Sequence, residues 1–168
     1  MRMTRQLSLL AVLLTTLMSG CAGERQATEG AVPVTMRTPW PCPWPAGRVP
    51  EVAVRTVDSA GYPFTVGGNL YKIPSGALTA PVSIRVEEVQ GNEVAISVTA
   101  ASGDTIFYAN NKLAEVHLFY GPPRCGNIGP PPPTAAVVRD LTRLATTTIS
   151  GYRMRAYSSQ TSYYVIAD

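Results

Sequence analysis

Val82-Ser83-Ile84-Arg85-Val86-Glu87, then Gln90-Gly91-Asn92, then Val94-Ala95-Ile96-Ser97-Val98: apolar and polar residues change places step by step, and a Gly-Asn pair interrupts them. A period of two puts Val82, Ile84 and Val86 on one face of an extended chain, and Ser83, Arg85 and Glu87 on the other. Two such runs across a short turn make an antiparallel hairpin with one buried face. The same period continues outward. Val116, Leu118 and Tyr120 alternate with Glu115, His117 and Phe119. Tyr152, Met154 and Ala156 alternate with Arg153 and Arg155, and Tyr164 to Ala167 closes the chain. On the other side, Val52, Val54 and Val57 open the pattern, while Tyr62 to Val66 and Asn69 to Ile73 flank Gly67-Gly68. No stretch after Glu51 has a sustained helical period. The best helical candidate is Ala135 to Leu144, where Val137, Val138, Leu141 and Leu144 fall on one face; a strand through Val137 and Val138 fits equally well. About seven to nine short strands with Gly/Pro turns predict an all-β chain folded as a single antiparallel β-sandwich over residues 51–168. A domain of that size buries enough surface to fold alone.

One stretch is more specific than its periodicity. Leu70-Tyr71-Lys72-Ile73-Pro74-Ser75-Gly76-Ala77-Leu78-Thr79-Ala80-Pro81-Val82-Ser83-Ile84 resembles the (I/V)P-(A/P/S)-G-A-L-x-x-P-V-x-I signature of ZU5-like domains. Pro74 ends a strand, Gly76 permits the turn, Ala77 and Leu78 plug the sandwich end, and Pro81 opens the next strand. Ala114 to Tyr120, shortly before Cys125, is similar to a later strand of that family, with Leu113 in place of its usual proline. Ser162 to Ala167 is similar to its closing strand. The resemblance spans roughly residues 70–167. It implies an Ig-like/ZU5-like sandwich that mediates interactions, and it brings no catalytic residues with it.

The first 20 residues read as a leader. Arg2 and Arg5, without an acid, precede an apolar run of eleven residues from Leu7 to Leu17. A membrane-spanning helix needs about 20, so the run fits the core of a cleaved signal. Leu17-Met18-Ser19-Gly20 before Cys21 resembles the lipobox of bacterial lipoproteins, with Met18 where Leu is usual. That resemblance implies cleavage before Cys21, a diacylglycerol on its sulfur, and a further acyl chain such as palmitate on its amine. Each buried methylene contributes about 0.8 kcal/mol, so two or more chains hold a protein to a membrane. Ala22 stands where an Asp would favour retention in the inner membrane. By the same resemblance, an outer-membrane, cell-envelope location is expected in a diderm host.

Residues 21–50 read as an extended, Pro-rich tether between lipid and sandwich. In Pro39-Trp40-Pro41-Cys42-Pro43-Trp44-Pro45 every second residue lacks a backbone donor, which excludes a helix or a regular paired strand. Trp40 and Trp44 have three possible uses here: docking on the domain, lying at the lipid interface, or forming a ligand platform. With Cys21 assigned to lipid, Cys42 and Cys125 remain. An even pair in an exported chain points to a disulfide, against the alternative of two unpaired thiols in Pro-rich loops.

Charge narrows the partners. Of 14 basic residues, Arg2 and Arg5 leave with the leader; the 12 that remain against 11 acids give +1, with no basic run. Nucleic acid is therefore not an expected partner. Catalysis has little to work with. His117 is the only histidine, on the polar phase of its strand with Glu115 and Phe119. A zinc site needs three or four ligands, a nucleophile needs a positioned base, and Glu87 and Glu88 fall on opposite faces. Asn110-Asn111 and Ser102-Gly103-Asp104 read as turns rather than calcium loops. No cofactor or metal is expected. The expectation is a membrane-anchored, non-enzymatic module that binds an envelope protein or has a structural role; the alternative is a carbohydrate- or peptidoglycan-contacting module. Trp40, Trp44 and Phe119 are its candidate binding surface.

Overall fold

Each alternating run becomes a strand. The structure, a computed structural model, describes residues 38–122, 124–126, 129, 131, 135–140, 142–149 and 152–167. The leader, Cys21, tether residues 21–37, Leu141 and most of Pro130–Pro133 lie outside the described residues. The strands are β1 (Val52–Val57), β2 (Tyr62–Val66), β3 (Asn69–Ile73), β4 (Val82–Glu88), β5 (Ala95–Ala100) and β6 (Ala114–Phe119). They are followed by β7 (Ala136–Arg139), β8 (Thr142–Arg143), β9 (Thr146–Ile149), β10 (Arg153–Ser158) and β11 (Tyr163–Ala167). One sheet has the order β1-β4-β5-β11-β7-β8 and the other β2-β3-β6-β10-β9. All their pairings are antiparallel. The two sheets pack face to face as the expected β-sandwich.

The quoted hairpin lies at the heart of the first sheet. Val86 pairs with Val98 and Glu88 with Ile96, and Ile84, Val86, Ile96 and Val98 are wholly buried. Burying each such side chain contributes about 1.5–3 kcal/mol. The second sheet answers with Phe64, Val66, Tyr71, Val116, Leu118 and Met154, all in the same apolar cluster. At one end, Gly76 turns at φ +75° and delivers Ala77 and Leu78 into the core. Inside, the hydroxyls of Tyr71 and Tyr108 lie 2.5 Å apart, and Tyr164 donates to the Gln160 carbonyl.

The Ala135–Leu144 segment forms strands, not a helix. Val137 faces the core, whereas Val138 joins a second apolar cluster with Ala95, Val165 and Ala167 on the other side of the sheet. A strand buried on both faces loses its alternation. The Thr-rich strands β8 and β9 raise the total to eleven among the described residues; their run of threonines has no polar-apolar contrast to read. Tyr152 also departs from its expected phase. It is 54% exposed, because it occupies a left-handed turn at φ +60° just before β10.

Candidate functional site

The Pro-Trp segment lies along the sandwich and builds its most distinctive corner. Its prolines occupy alternate positions, so the N–H groups of Trp40 and Cys42, two residues apart, point the same way. Trp40 N donates to the Ile166 carbonyl at 2.9 Å, and Cys42 N to the Asn92 carbonyl at 2.7 Å. Isolated bridges join Pro39 to Ala167 and Pro41 to Glu93. Proline suits such an edge because its missing donor would have faced away from the sheet. Cys42 and Cys125 form a disulfide with Cα atoms 4.9 Å apart. Trp40 packs edge-on against Tyr120, with ring centroids 5.9 Å apart. Residues 38–50 of the expected tether are thus packed on the domain.

Beyond the disulfide the chain crosses the end of the sandwich where the β2–β3 turn, the end of β4 and the end of β6 converge. Trp44 donates its indole N–H to the Arg48 carbonyl at 2.7 Å. Its ring lies under two guanidinium groups, Arg124 at 4.3 Å and Arg48 at 5.1 Å. Arg48 reaches inward and grips both oxygens of Glu88 at 2.6 and 2.8 Å. Glu88 is buried, and it also accepts the Glu51 N–H at 3.1 Å. A buried carboxylate needs this degree of pairing. The glycine turn is shaped around it: a Cβ on Gly67 would come within 1.8 Å of Glu88 Oε1, and one on Gly68 within 3.0 Å of the Phe119 ring.

These parts enclose an open cleft of about 410 Å³ lined by Pro45, Arg48, Glu51, Gly67, Gly68, Phe119 and Arg124. Its surface is mainly apolar. Arg124 is 2% exposed. Its Nη2 donates to the Glu93 carbonyl at 2.7 Å, and its Nη1 has no partner among the described residues. Burial pushes the Arg124 pKa down; Glu88 opposes that shift and Arg48 reinforces it. From Phe119 the cleft opens onto the outer face of the second sheet. There Arg153 lies over the Phe119 ring at 5.3 Å, and Glu115 meets His117 at 2.8 Å and Arg155 at 3.8 Å.

Of the residues singled out from sequence, Trp44 and Phe119 flank this cleft, and Cys42 and Cys125 brace it. Of its three expected uses Trp40 takes docking on the domain, and so it leaves the candidate binding surface. It is 7% exposed and belongs to the core, because the disulfide and the Ile166 hydrogen bond draw its backbone onto the sheet. Arg48, Glu88 and Arg124 were not singled out as site residues. The alternation did place Glu88 on the buried face, and a buried carboxylate demands a buried cation. No sequence spacing says which one. His117 faces the expected side. Ser102 Oγ donates to Asp104 at 2.7 Å, and Asn110 donates to the Gly76 carbonyl at 3.2 Å, as turn residues do. Among the described residues no cluster of three metal-ligating side chains occurs, and no helix is long and apolar enough to cross a membrane. No protein-family model, curated protein or solved structure matches the chain.

Proposed function

We propose that this chain is a lipid-anchored protein of the bacterial cell envelope, most simply of an outer membrane, whose ZU5-like sandwich is a non-enzymatic binding module for another envelope protein. The Cys21 lipobox resemblance supports the location. The observation that carries the binding role is the cleft itself, where the end of the tether, a disulfide and a glycine turn are built around stacked, inward-facing cations. A protein partner is favoured over a glycan by two features. Arg153 covers the Phe119 ring that a sugar would stack on. Nearby, Val49, Val52 and Val54 are 78, 46 and 55% exposed, an apolar strip of the kind that marks protein contacts.

Two measurements test this reading. Cys21→Ala should move the protein out of the membrane fraction; unchanged fractionation would refute the anchor. Photo-crosslinkers placed at Pro45 and Val54 in whole cells should trap a discrete envelope protein, with a control site at the exposed Ser102 silent. Equal labelling at all three positions, or none, would refute the binding role.

A further inference from the structure

We infer that the cleft is a carboxylate site, in which Arg124 receives a carboxylate of a peptide partner between the apolar walls of Pro45 and Phe119. This rests on the reading of the sandwich as a binding module and names what the module holds. Arg48 and Glu88 neutralise one another across two short contacts. Arg124 forms no ion pair among the described residues, although it is buried and always charged. Buried donors without acceptors are rare in folded proteins, and a charged one is costly. The Trp44 ring at 4.3 Å holds the guanidinium plane from one face, and Glu93 holds Nη2. Arg124 lines a space large enough for a small ligand, and its buried Nη1, just beneath that wall, has no acceptor among the described residues.

The rest of the cleft selects among anions. Glu51 lines the same space and uses only Oε2, on the Gly67 N–H at 2.8 Å. With Arg48 and Glu88 cancelled, the charges that remain are one cation and one carboxylate. That pair suits a singly charged ligand carrying its own donor, as a peptide carboxylate does with its neighbouring N–H. It disfavours the phosphate dianion, whose second charge Glu51 repels more strongly than a single carboxylate. The apolar walls leave the hydroxyls of an acidic sugar unmatched. Nη1 is closed off from water, so binding displaces part of the cover over Arg124, of which Trp44 is one face. Trp44 fluorescence should therefore report occupancy.

The test is a titration of the purified full chain in detergent, with tryptophan emission and calorimetry as readouts. The probes are N-acetyl-Ala-Ala and its C-terminal amide, N-acetyl-Asp-amide, glucuronate and inorganic phosphate. N-acetyl-Ala-Ala should bind saturably and the amide roughly tenfold or more weakly, the usual scale for a charge-assisted hydrogen bond. Binding of N-acetyl-Asp-amide would assign the site to side-chain carboxylates, and its silence to chain ends. Arg124→Gln, checked for folding by thermal melting, should abolish the response. The acid–amide comparison on the unaltered chain stands even if that variant does not fold. Equal affinity for acid and amide, tighter binding of glucuronate or phosphate, or silence of both peptide acids would overturn the assignment. If the peptide acids are silent while the cleft crosslinker still traps a protein, the carboxylate site falls and the binding module stands. If both are silent, both fall.

Discussion

Glycine 67 carries more of this corner than any other small residue. Its φ of +56° favours glycine, and a Cβ there would strike a carboxylate that Arg48 and the Glu51 N–H hold in place. Gly67→Ala should therefore destabilise the domain by about 2–4 kcal/mol, from backbone strain plus overpacking. Gly103→Ala, at φ +88° but with open space around its Cβ, should cost only about 1 kcal/mol. Urea unfolding of the two variants separates the effects, and equal losses would mean that contact with Glu88 is unimportant. Tyr71 makes a comparable case in the core. Its hydroxyl meets Tyr108 at 2.5 Å and donates to the Gln160 carbonyl at 3.1 Å. Tyr71→Phe should cost about 1–3 kcal/mol by leaving buried polar atoms without a partner, measured in the same unfolding experiment. At this scale the sequence is legible wherever a residue's role follows from its strand phase, as for His117. It is silent on Arg124, whose role depends on Trp44 and Glu93 from distant parts of the chain.

Among the elements, the Pro-Trp segment departs furthest from expectation. As a sequence it reads as a spacer, because every second residue lacks a donor. The same alternation lets Trp40 and Cys42 direct their N–H groups to one side, which is all that an edge contact needs. The disulfide then closes a separation of 83 residues. In the chain-entropy account a loop of that length is worth roughly 4 kcal/mol. Reduction should lower the melting temperature and red-shift tryptophan emission as Trp40 loosens from Tyr120; an unchanged melt would mean that packing alone holds the segment. Trp40→Ala should cost about 3–5 kcal/mol, as for other large core truncations. At the β1 edge of the first sheet, Val52 and Val54 are exposed. Val54→Lys should change stability by no more than about 0.5 kcal/mol, leaving any effect on crosslinking attributable to the partner.

The whole molecule has one titration built into its core. Burial raises the pKa of Tyr71 well above its ordinary 10.0, with Tyr108 and Tyr164 adding to it. Burial likewise raises Tyr108 and Tyr164. Below their ordinary value these phenols are protonated in both states, so their contribution to stability is fully present. Above it the unfolded chain releases protons that the folded core retains, and stability falls as pH rises. The melting temperature should stay level from neutral pH to about 9 and drop steeply above about 10. The chain has eight tyrosines, Tyr152 and Tyr157 among them exposed. The part of the phenolate absorbance that belongs to Tyr71, Tyr108 and Tyr164 should therefore appear only together with loss of the β-sheet dichroism. Ionisation of all eight without unfolding would show that the three hydroxyls are not sealed in the core.

The all-β class, the hairpin of residues 82–98, the outward face of His117 and the plugging turn at Gly76 can be read from the chain alone. Each follows from local physics: a two-residue period, a turn residue's φ, or a proline's missing donor. Counting alone also points to Cys42 and Cys125 as a pair. Only the tertiary structure decided that Val137 and Val138 lie on two buried faces, that Trp40 belongs to the core, and that Arg48, Glu88 and Arg124 meet beneath Trp44. Those outcomes depend on which surfaces meet when two sheets and a disulfide close on one another, and burial of a charge is settled by partners far away along the chain.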